Sequence, residues 1–240
     1  MKVVLRLLIF TLLFTQISFA SGLQFSIMIP VGASFSFYNV YFNKDASQTY
    51  KDSYRKSRGI IGFDTGVDIQ VGYLVSDGNK GMSLLVDIGY SHDSFGLTSS
   101  YNDDSSTKIK TKEYYTFENF KLGILPKFHY NNFAIGIGIG IKVPLYLTHS
   151  LELFENDIST RTYSYYKSNK IDDIIKNSVI TYVKLTFDYS FYVNNKFSIL
   201  FGAYIGTDFG IDLRGAEKIL VESRKLSSFD IGIQLGFKIG

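Results

Sequence analysis

The sequence predicts an all-β fold, namely a closed antiparallel transmembrane β-barrel of eight strands with long extracellular loops and short periplasmic turns. Three observations support it: apolar and polar residues alternate in eight segments, short and long connections alternate between them, and the apolar face is almost free of charge. The 240 residues suffice for one barrel. We therefore expect a signal peptide over residues 1–20 and a single barrel domain over residues 21–240.

The first twenty residues have the organisation of a secretory signal. Lys2 and Arg6 form a positive region, Leu7–Phe14 is a short apolar run, and residues 18–20 form a small-x-small cleavage site. An uncleaved membrane anchor is the alternative, but the apolar run is short compared with the ~20 residues that a spanning helix needs.

The composition excludes several classes of function. The 25 Lys and Arg residues against 22 Asp and Glu residues include two basic residues of the leader, so the remainder is nearly neutral and we expect no nucleic-acid partner. The absence of Cys excludes disulfides and thiolate metal sites, and we expect no cofactor and no metal. The 21 Gly, 21 Phe and 18 Tyr residues with only three Pro residues favour strands over helices.

The period-two pattern is clearest between Phe133 and Leu145, where apolar residues alternate with glycines 136, 138 and 140. These glycines do not form a nucleotide-binding loop, because no helix follows them. The eight predicted strands cover residues 23–37, 61–73, 82–90, 120–128, 133–145, 179–191, 197–211 and 229–239. Pro30 removes a hydrogen-bond donor inside the first strand, so we expect a bulge or a register irregularity at Pro30–Gly32.

The connections between the predicted strands alternate in length. Short turns rich in Asn, Asp and Gly lie at residues 76–81, 130–132 and 194–195. Long polar loops lie at residues 39–58, 93–112, 148–177 and 214–226. This alternation is typical of outer-membrane barrels, and it places the long loops outside the cell.

The two faces of the strands favour a lipid-embedded barrel over a soluble β-sandwich. The apolar face carries one ionised residue, Glu118, which we expect at the outer edge of the apolar band, where a charge costs little. Aromatic residues near the strand ends are typical of the girdles at the membrane interfaces. The opposite face is rich in Gly and Ser, as in the crowded lumen of a small barrel. A closed sheet also pairs every backbone group in the hydrocarbon.

On these features the chain resembles the small eight-stranded outer-membrane barrels of the OmpA/OmpX type, over residues 22–240. The terminal segment 229–240 is similar to the assembly signal of that family, although it ends with Gly240 and has its last aromatic residue at Phe237. The resemblance implies a bacterial outer-membrane location, contact with outer-membrane lipid, and recognition of residues 229–240 by the barrel-assembly machinery. Because the barrel is expected to use residues 21–240, we expect no periplasmic peptidoglycan-binding domain.

Charged residues on the predicted inner face are expected to meet across the lumen. We interpret them as a structural network of salt bridges that fills the barrel, because an eight-stranded interior is only just wide enough to hold side chains. A gated polar pathway is the alternative interpretation. The network is predicted to comprise Asp64, Asp68, Asp87, Lys121, Lys142, Lys184, Asp188, Asp208 and Asp230.

The long loops carry the candidate binding residues. The first loop is basic and aromatic, and it predicts either a patch for an acidic ligand or an ordinary solvated loop. The residues of this candidate patch are Lys44, Lys51, Tyr54, Arg55, Lys56 and Arg58. In the third loop Asn169 is predicted to cap a short helix whose Ile171, Ile174 and Ile175 share one face. This face is expected to pack on the barrel rim, and contact with a partner is the alternative.

Two functions follow as hypotheses. The first is a non-enzymatic outer-membrane protein, structural or adhesive, whose loops bind a host or envelope ligand. The alternative is a narrow, porin-like channel for ions or small solutes. An enzyme is not expected, because His92 and its neighbours Ser91 and Asp93 should point to opposite faces of a strand.

Overall fold

A computed structural model describes residues 22–48, 51, 57–102, 108–155, 158–177, 179–194, 196–214 and 220–239. The predicted signal peptide and three residues of the candidate patch, Tyr54, Arg55 and Lys56, lie outside the described residues.

Nine strands and one helical turn have both ends within the described residues, and all strand pairs are antiparallel. The elements are β1 Gly22–Phe42, β2 Arg58–Asp77, β3 Lys80–Asn102, β4 Lys108–Tyr130, β5 Phe133–Glu155, β6 Ile158–Lys167, α1 Ser168–Ile171, β7 Ile180–Tyr192, β8 Phe197–Leu213 and β9 Val221–Ile239. Eight of these strands close into a ring, because β5 pairs with β7 and β9 pairs with β1. The predicted eight-stranded closed barrel is confirmed.

The ninth strand belongs to a hairpin that the sequence did not predict. β5 pairs with β7 only over Phe133–Lys142, and its distal half, Tyr146–Glu155, pairs with β6. The prediction of a long loop over 148–177 is therefore wrong for most of its length. The loop predicted over 93–112 is also largely strand, since β3 and β4 stay paired out to Asn102 and Lys108. β6 is polar on both faces, and the other extensions mix Thr, Ser and Tyr with apolar residues that face inward, so the pattern of an apolar outer face does not identify these strands.

The barrel wall has its apolar side outward and its polar side inward. Leu84, Ile137 and Ile233 are 61%, 61% and 70% exposed, whereas Gln70 and Asp87 are completely buried. This distribution is the reverse of a soluble protein, and it fits a wall that faces hydrocarbon. We call the belt of exposed apolar side chains on the eight ring strands the apolar band.

The predicted bulge at Pro30 is wrong. The pairing of β1 with β9 continues through Pro30 opposite Gln234, and the pairs with β2 on either side of Pro30 keep one register. The Thr65 hydroxyl donates a hydrogen bond to the Pro30 carbonyl at 2.9 Å. A side chain thus links the two strands where proline cannot donate, and the strand does not have to bulge.

The segment after β6 folds over the outer end of the lumen. The predicted Asn169 cap is wrong, because the residue before the first helical turn is Lys167 and no side chain caps it. Ile171 and Ile175 are buried, and Ile175 forms an antiparallel bridge with Leu213 of β8. Among the described helices, none is both long enough and apolar enough to cross a membrane.

Candidate functional site in the lumen and the protruding sheet

The middle of the lumen contains an ion cluster built by four strands. Lys184 Nζ lies 3.1 Å from Asp68 Oδ2 and 2.7 Å from Asp87 Oδ2, and Lys121 forms ion pairs with the same two aspartates. The Tyr182 hydroxyl donates a hydrogen bond to Asp87 at 3.2 Å. The alternation of β2, β3, β4 and β7 points these side chains inward, and their charges hold the opposite walls together.

A second cluster lies towards the outer end and surrounds Lys142. Its Nζ lies 2.8 Å from Asp93 Oδ1 and 2.6 Å from Asp208 Oδ2. Asp64 accepts a hydrogen bond from the Tyr204 hydroxyl at 2.7 Å, and Asp230 accepts one from Ser228. This cluster places buried carboxylates of four strands around a single ammonium group.

Asp93 was absent from the predicted network, because the loop expected over residues 93–112 begins at this residue. β3 in fact continues past this point. The alternation of the strand could have identified Asp93, since this residue lies an even number of positions from the inward-facing Ser91 and Asp87.

A third group lies towards the periplasmic end. Lys127 Nζ lies 2.8 Å from Asp188 Oδ2 and donates a hydrogen bond to Gln70 Oε1 at 2.9 Å. Lys238 donates a hydrogen bond to the Ser190 hydroxyl. The predicted network did not include Lys127 and Lys238, although both occupy inward positions. All nine residues of the predicted network line the lumen and are buried.

Little open space remains between these groups. The cavity beside Lys142 has a volume of about 40 Å³, which is room for roughly three water molecules. Taking ionised groups out of water is expensive, and they are retained only where each finds a close partner. The geometry therefore describes a lumen filled with mutually paired side chains.

Inside the barrel, an apolar layer lies between the ion clusters and the outer end of the lumen. Along the inner face of β4, Asn119 is followed by Phe117 and Tyr115, and the aromatic rings of Phe95 and Phe117 pack edge to face at 5.7 Å. The layer comprises the buried residues Phe95, Leu97, Tyr115, Phe117, Leu147, Ile171, Ile175, Ile180, Ile211, Leu213 and Leu226. Register irregularities at Glu118/Asn119 and Asp208/Ile211 lie at the level where the inner face changes from polar to apolar.

This layer was not predicted, because a polar inner face was expected along every strand. Ile171 and Ile175 contribute to it from the segment after β6, so the predicted helix face packs into the lumen end and not on the rim.

Glu118 lies on the outer face at the edge of the apolar band, and the structure gives it two partners. The His92 Nδ1 lies 2.7 Å from Glu118 Oε1, and the Tyr90 hydroxyl donates a hydrogen bond to the other carboxylate oxygen. Ser91 and Asp93 are buried on the lumen side of β3, whereas His92 is partly exposed on the other side. The three consecutive residues therefore do not form a catalytic triad.

A small titratable group lies outside the apolar band. His149 stacks on Tyr115 with ring centroids 4.6 Å apart, and its Nε2 lies 3.7 Å from Glu113 Oε2. The interaction with His149 lowers the pKa of Glu113 below its ordinary value; the hydrogen bond from the Tyr115 hydroxyl acts in the same direction, and burial opposes both. Across the described residues no group of three or more His, Asp or Glu side chains is arranged to hold a metal ion.

Beyond the apolar band the wall continues as the protruding sheet, which we define as residues 94–102, 108–117 and 146–155 together with β6. Its outer face carries Tyr165, which is 74% exposed, and Tyr163, and their rings stack at 6.4 Å. The Arg161 guanidinium lies 5.1 Å from the centroid of the Tyr163 ring. β6 stands at the end of the strand order, so one of its edges has no strand partner in the described part of the chain.

The candidate patch of the first loop is only partly described. Lys44 lies in the turn after β1, Lys51 lies in the following segment, and Arg58 begins β2. Lys44 and Arg58 are exposed and Lys51 is half-buried. The binding role of this patch stays a prediction. Basic and aromatic side chains also lie on the protruding sheet, where none were predicted to form a binding surface.

Comparisons with known proteins give architectural likeness. No protein-family model matches the chain, and no curated protein matches it. The outer membrane protease OmpT from Escherichia coli is 9% identical, with a TM-score of 0.40 over 90% of this chain and 96% of that one. OprG from Pseudomonas aeruginosa is 15% identical, with a TM-score of 0.37 over 93% and 99%. Ail, the attachment invasion locus protein of Yersinia pestis, is 10% identical in its complex with the heparin analogue sucrose octasulfate, with a TM-score of 0.28 over 89% and 98%.

These proteins include a protease, so the comparisons do not separate enzymes from other barrels. At such identities and TM-scores a likeness concerns the barrel architecture alone, and function has to be argued from this chain's own residues. The chain is similar to small outer-membrane β-barrel proteins.

Proposed function

We propose that this chain is a non-enzymatic surface protein of the bacterial outer membrane, in which a closed, filled barrel anchors an extracellular binding sheet. One observation carries the proposal. The lumen is occupied by paired ions and then by an apolar layer, whereas the wall above the apolar band continues as a sheet with exposed aromatic and cationic side chains.

The filled lumen argues against transport. A solute that moves along the axis has to displace Lys142 from Asp93 and Asp208, and these are charged contacts at 2.8 and 2.6 Å. It then meets Phe95 and Phe117, which are completely buried in the apolar layer. Apolar constrictions stop ions because they do not replace the hydration shell. Two barriers of different chemistry thus lie in series.

The protruding sheet supports a binding role. Tyr and Arg are enriched at protein interfaces, where they provide contact area and polar groups together. Tyr163, Tyr165 and Arg161 stand on a hairpin that is hydrogen-bonded to the barrel wall through β5. A rigid scaffold that presents such residues to the outside is a common arrangement for recognition.

A narrow channel for ions or small solutes is the second candidate, and the charged lining of the membrane-spanning lumen favours it. Planar-bilayer recording of the refolded barrel separates the two. We expect no discrete conductance steps from the unmodified protein. Steps that also disappear on adding antibody to the outer loops would support the channel and contradict the filled lumen.

Binding is tested by shortening the hairpin on cells that display the protein. Residues 151–162 are replaced by Asn-Gly, which joins the paired residues Ser150 and Tyr163 by a tight turn and keeps Leu147 in the apolar layer. The same variant carries Tyr163→Ser and Tyr165→Ser, so that it lacks all three residues of the proposed binding face. The matched control replaces residues 99–111 by Asn-Gly between the paired residues Thr98 and Lys112.

The readout is the number of displaying cells that adhere to a washed epithelial monolayer. We expect the unmodified protein and the β3–β4 control to raise adhesion above that of cells with an empty vector, and the shortened β5–β6 hairpin to return it to that level. The binding role is wrong if display of the unmodified protein leaves adhesion unchanged.

A further inference from the structure

We propose that β6 is a docking edge to which a partner protein adds an extended, acidic segment as a further strand of the protruding sheet. This inference rests on the proposed surface-binding function and specifies the chemistry of the partner.

The backbone of β6 provides the first part of the argument. β6 has ten residues and is antiparallel to β5 from Ile158 opposite Glu155 to Lys167 opposite Tyr146. In a two-sided strand alternate residues direct their N–H and C=O groups to opposite neighbours. About half of the residues of β6 therefore direct these groups towards an edge that no described strand occupies. Such an edge is a template for strand addition.

The edge lacks most of the features that usually prevent strand addition. Proline, a bulge and a covering helix or loop are common protections. β6 contains no proline, and its pairing with β5 shows no register irregularity. At the Ile158 end of β6, Ile158 and Thr160 are exposed on one face and Arg161 is exposed on the other. The described chain therefore covers neither face of this end.

The side chains specify the charge of the partner. Arg161, Tyr163, Tyr165 and Lys167 are alternate residues and share the outer face. β6 contains two cations and no carboxylate. Glu152, which pairs with Arg161 across the hairpin, accepts a hydrogen bond from Ser159 at 3.1 Å, while the guanidinium group of Arg161 lies over the Tyr163 ring.

A strand added beside β6 would bring its own side chains to about 5 Å from those of Arg161 and Lys167. Carboxylates at alternate positions of the partner would then share the outer face with Arg161 and Lys167 and meet both cations, while β-branched residues at the positions between them would lie on the opposite face of the sheet. A second copy of β6 is a poorer occupant, because it would bring two more cations and no anion to the same sheet.

Binding of a defined peptide tests the proposal. The probe is a fluorescent ten-residue peptide of alternating Glu and Val, added to the barrel in lipid nanodiscs at low salt and followed by fluorescence anisotropy. We expect it to bind, and we expect a peptide of alternating Gln and Val to bind at least tenfold more weakly. N-methylation of alternate Val residues removes main-chain donors from one peptide edge, and it should weaken binding at least tenfold as well.

Charge reversal locates the site. The double substitution Arg161→Glu and Lys167→Glu should weaken binding of the acidic peptide at least tenfold. The matched control, Lys110→Glu with Lys112→Glu, changes two cations on β4 away from the free edge and should change the affinity less than twofold. Hydrogen exchange should show β6 amides becoming protected when the peptide binds, which a purely electrostatic contact would not produce.

Several outcomes would overturn the inference: no binding of the acidic peptide, equal binding of the neutral or N-methylated peptide, or a dimer in light scattering that the double substitution on β6 abolishes. If the shortened hairpin abolishes adhesion but the acidic peptide does not bind, surface binding stands and strand addition is wrong. If the peptide binds as expected but display does not raise adhesion, the edge exists and the adhesive role is wrong.

Discussion

Replacing Lys142 by Met tests the central claim about the lumen. Lys142 is 5% exposed, and its ammonium group contacts the buried carboxylates of Asp93 and Asp208. Met preserves most of the side-chain length but removes the charge, so both carboxylates lose their ion-pair partner inside the barrel. Removing one member of a buried ion pair costs about 3–5 kcal/mol, mainly because the remaining charge is left without compensation. We expect the free energy of unfolding to fall by about that amount.

The measurement is urea unfolding of the barrel in lipid vesicles, followed by the gel-mobility difference between unboiled and boiled samples. Lys176→Met is the matched control, since Lys176 lies 3.2 Å from Asp212 with its side chain 41% exposed, and such surface pairs contribute about 0–1 kcal/mol. Adding Asp93→Asn and Asp208→Asn to Lys142→Met should recover at least half of the loss. A loss no larger than that of the control would refute the enclosed ion cluster.

Four further predictions concern other parts of the barrel. Phe117→Ala should cost about 3–5 kcal/mol because the ring is completely buried in the apolar layer, and an unchanged urea midpoint would contradict this. Ile137→Lys should cost about 2–4 kcal/mol because it places a charge in the apolar band; vesicle-refolding yield measures it. Gly138→Ala should cost about 1–3 kcal/mol because the new Cβ would lie 2.9 Å from a lysine Cγ, whereas Gly206→Ala, with its nearest atom at 3.3 Å, should cost clearly less. Glu113→Gln should reduce stability by less than about 1 kcal/mol at neutral pH. Because folding lowers the pKa of Glu113, its contribution is present above the unfolded pKa of about 4.3 and disappears as the pH falls through the folded pKa, so unfolding curves of variant and parent should converge once the pH is below that folded pKa.

The lipid-facing half of the barrel could be predicted because one physical requirement acts on every strand. Each side chain that faces hydrocarbon must be apolar, and the strand geometry repeats that requirement at every second residue. Ile137 and Phe201 are therefore identifiable from the sequence, and so is the inward direction of Lys142 and Asp208. The partners inside the lumen depend on the stagger of neighbouring strands. Asp93 could not be assigned to Lys142 without that stagger.

The outer part of the barrel was harder to predict, because beyond the membrane no lipid requires one face of each strand to be apolar. From Asn119 towards the outer end of β4, the inner positions become apolar. Phe117 and Leu147 are therefore buried in the apolar layer, although they lie beyond the lipid. β6 has polar residues on both faces, and its strand character comes from pairing with β5 and from the preference of Thr and Tyr for extended backbone. Hydrophobic periodicity does not identify the structure in either situation.

The two parts of the molecule carry different constraints, and this difference explains how the protruding sheet can serve recognition. In the lumen each lysine has buried carboxylate or hydroxyl partners, so a single change leaves an uncompensated group and destabilises the barrel. On β6, Arg161 and Tyr165 are exposed to solvent, and both contact the ring of Tyr163. Substitutions of exposed residues usually change the free energy of unfolding by no more than about 0.5 kcal/mol. The filled barrel therefore supplies the stability, and the side chains on the outer face of the hairpin can change without unfolding the protein, as the proposed binding role requires.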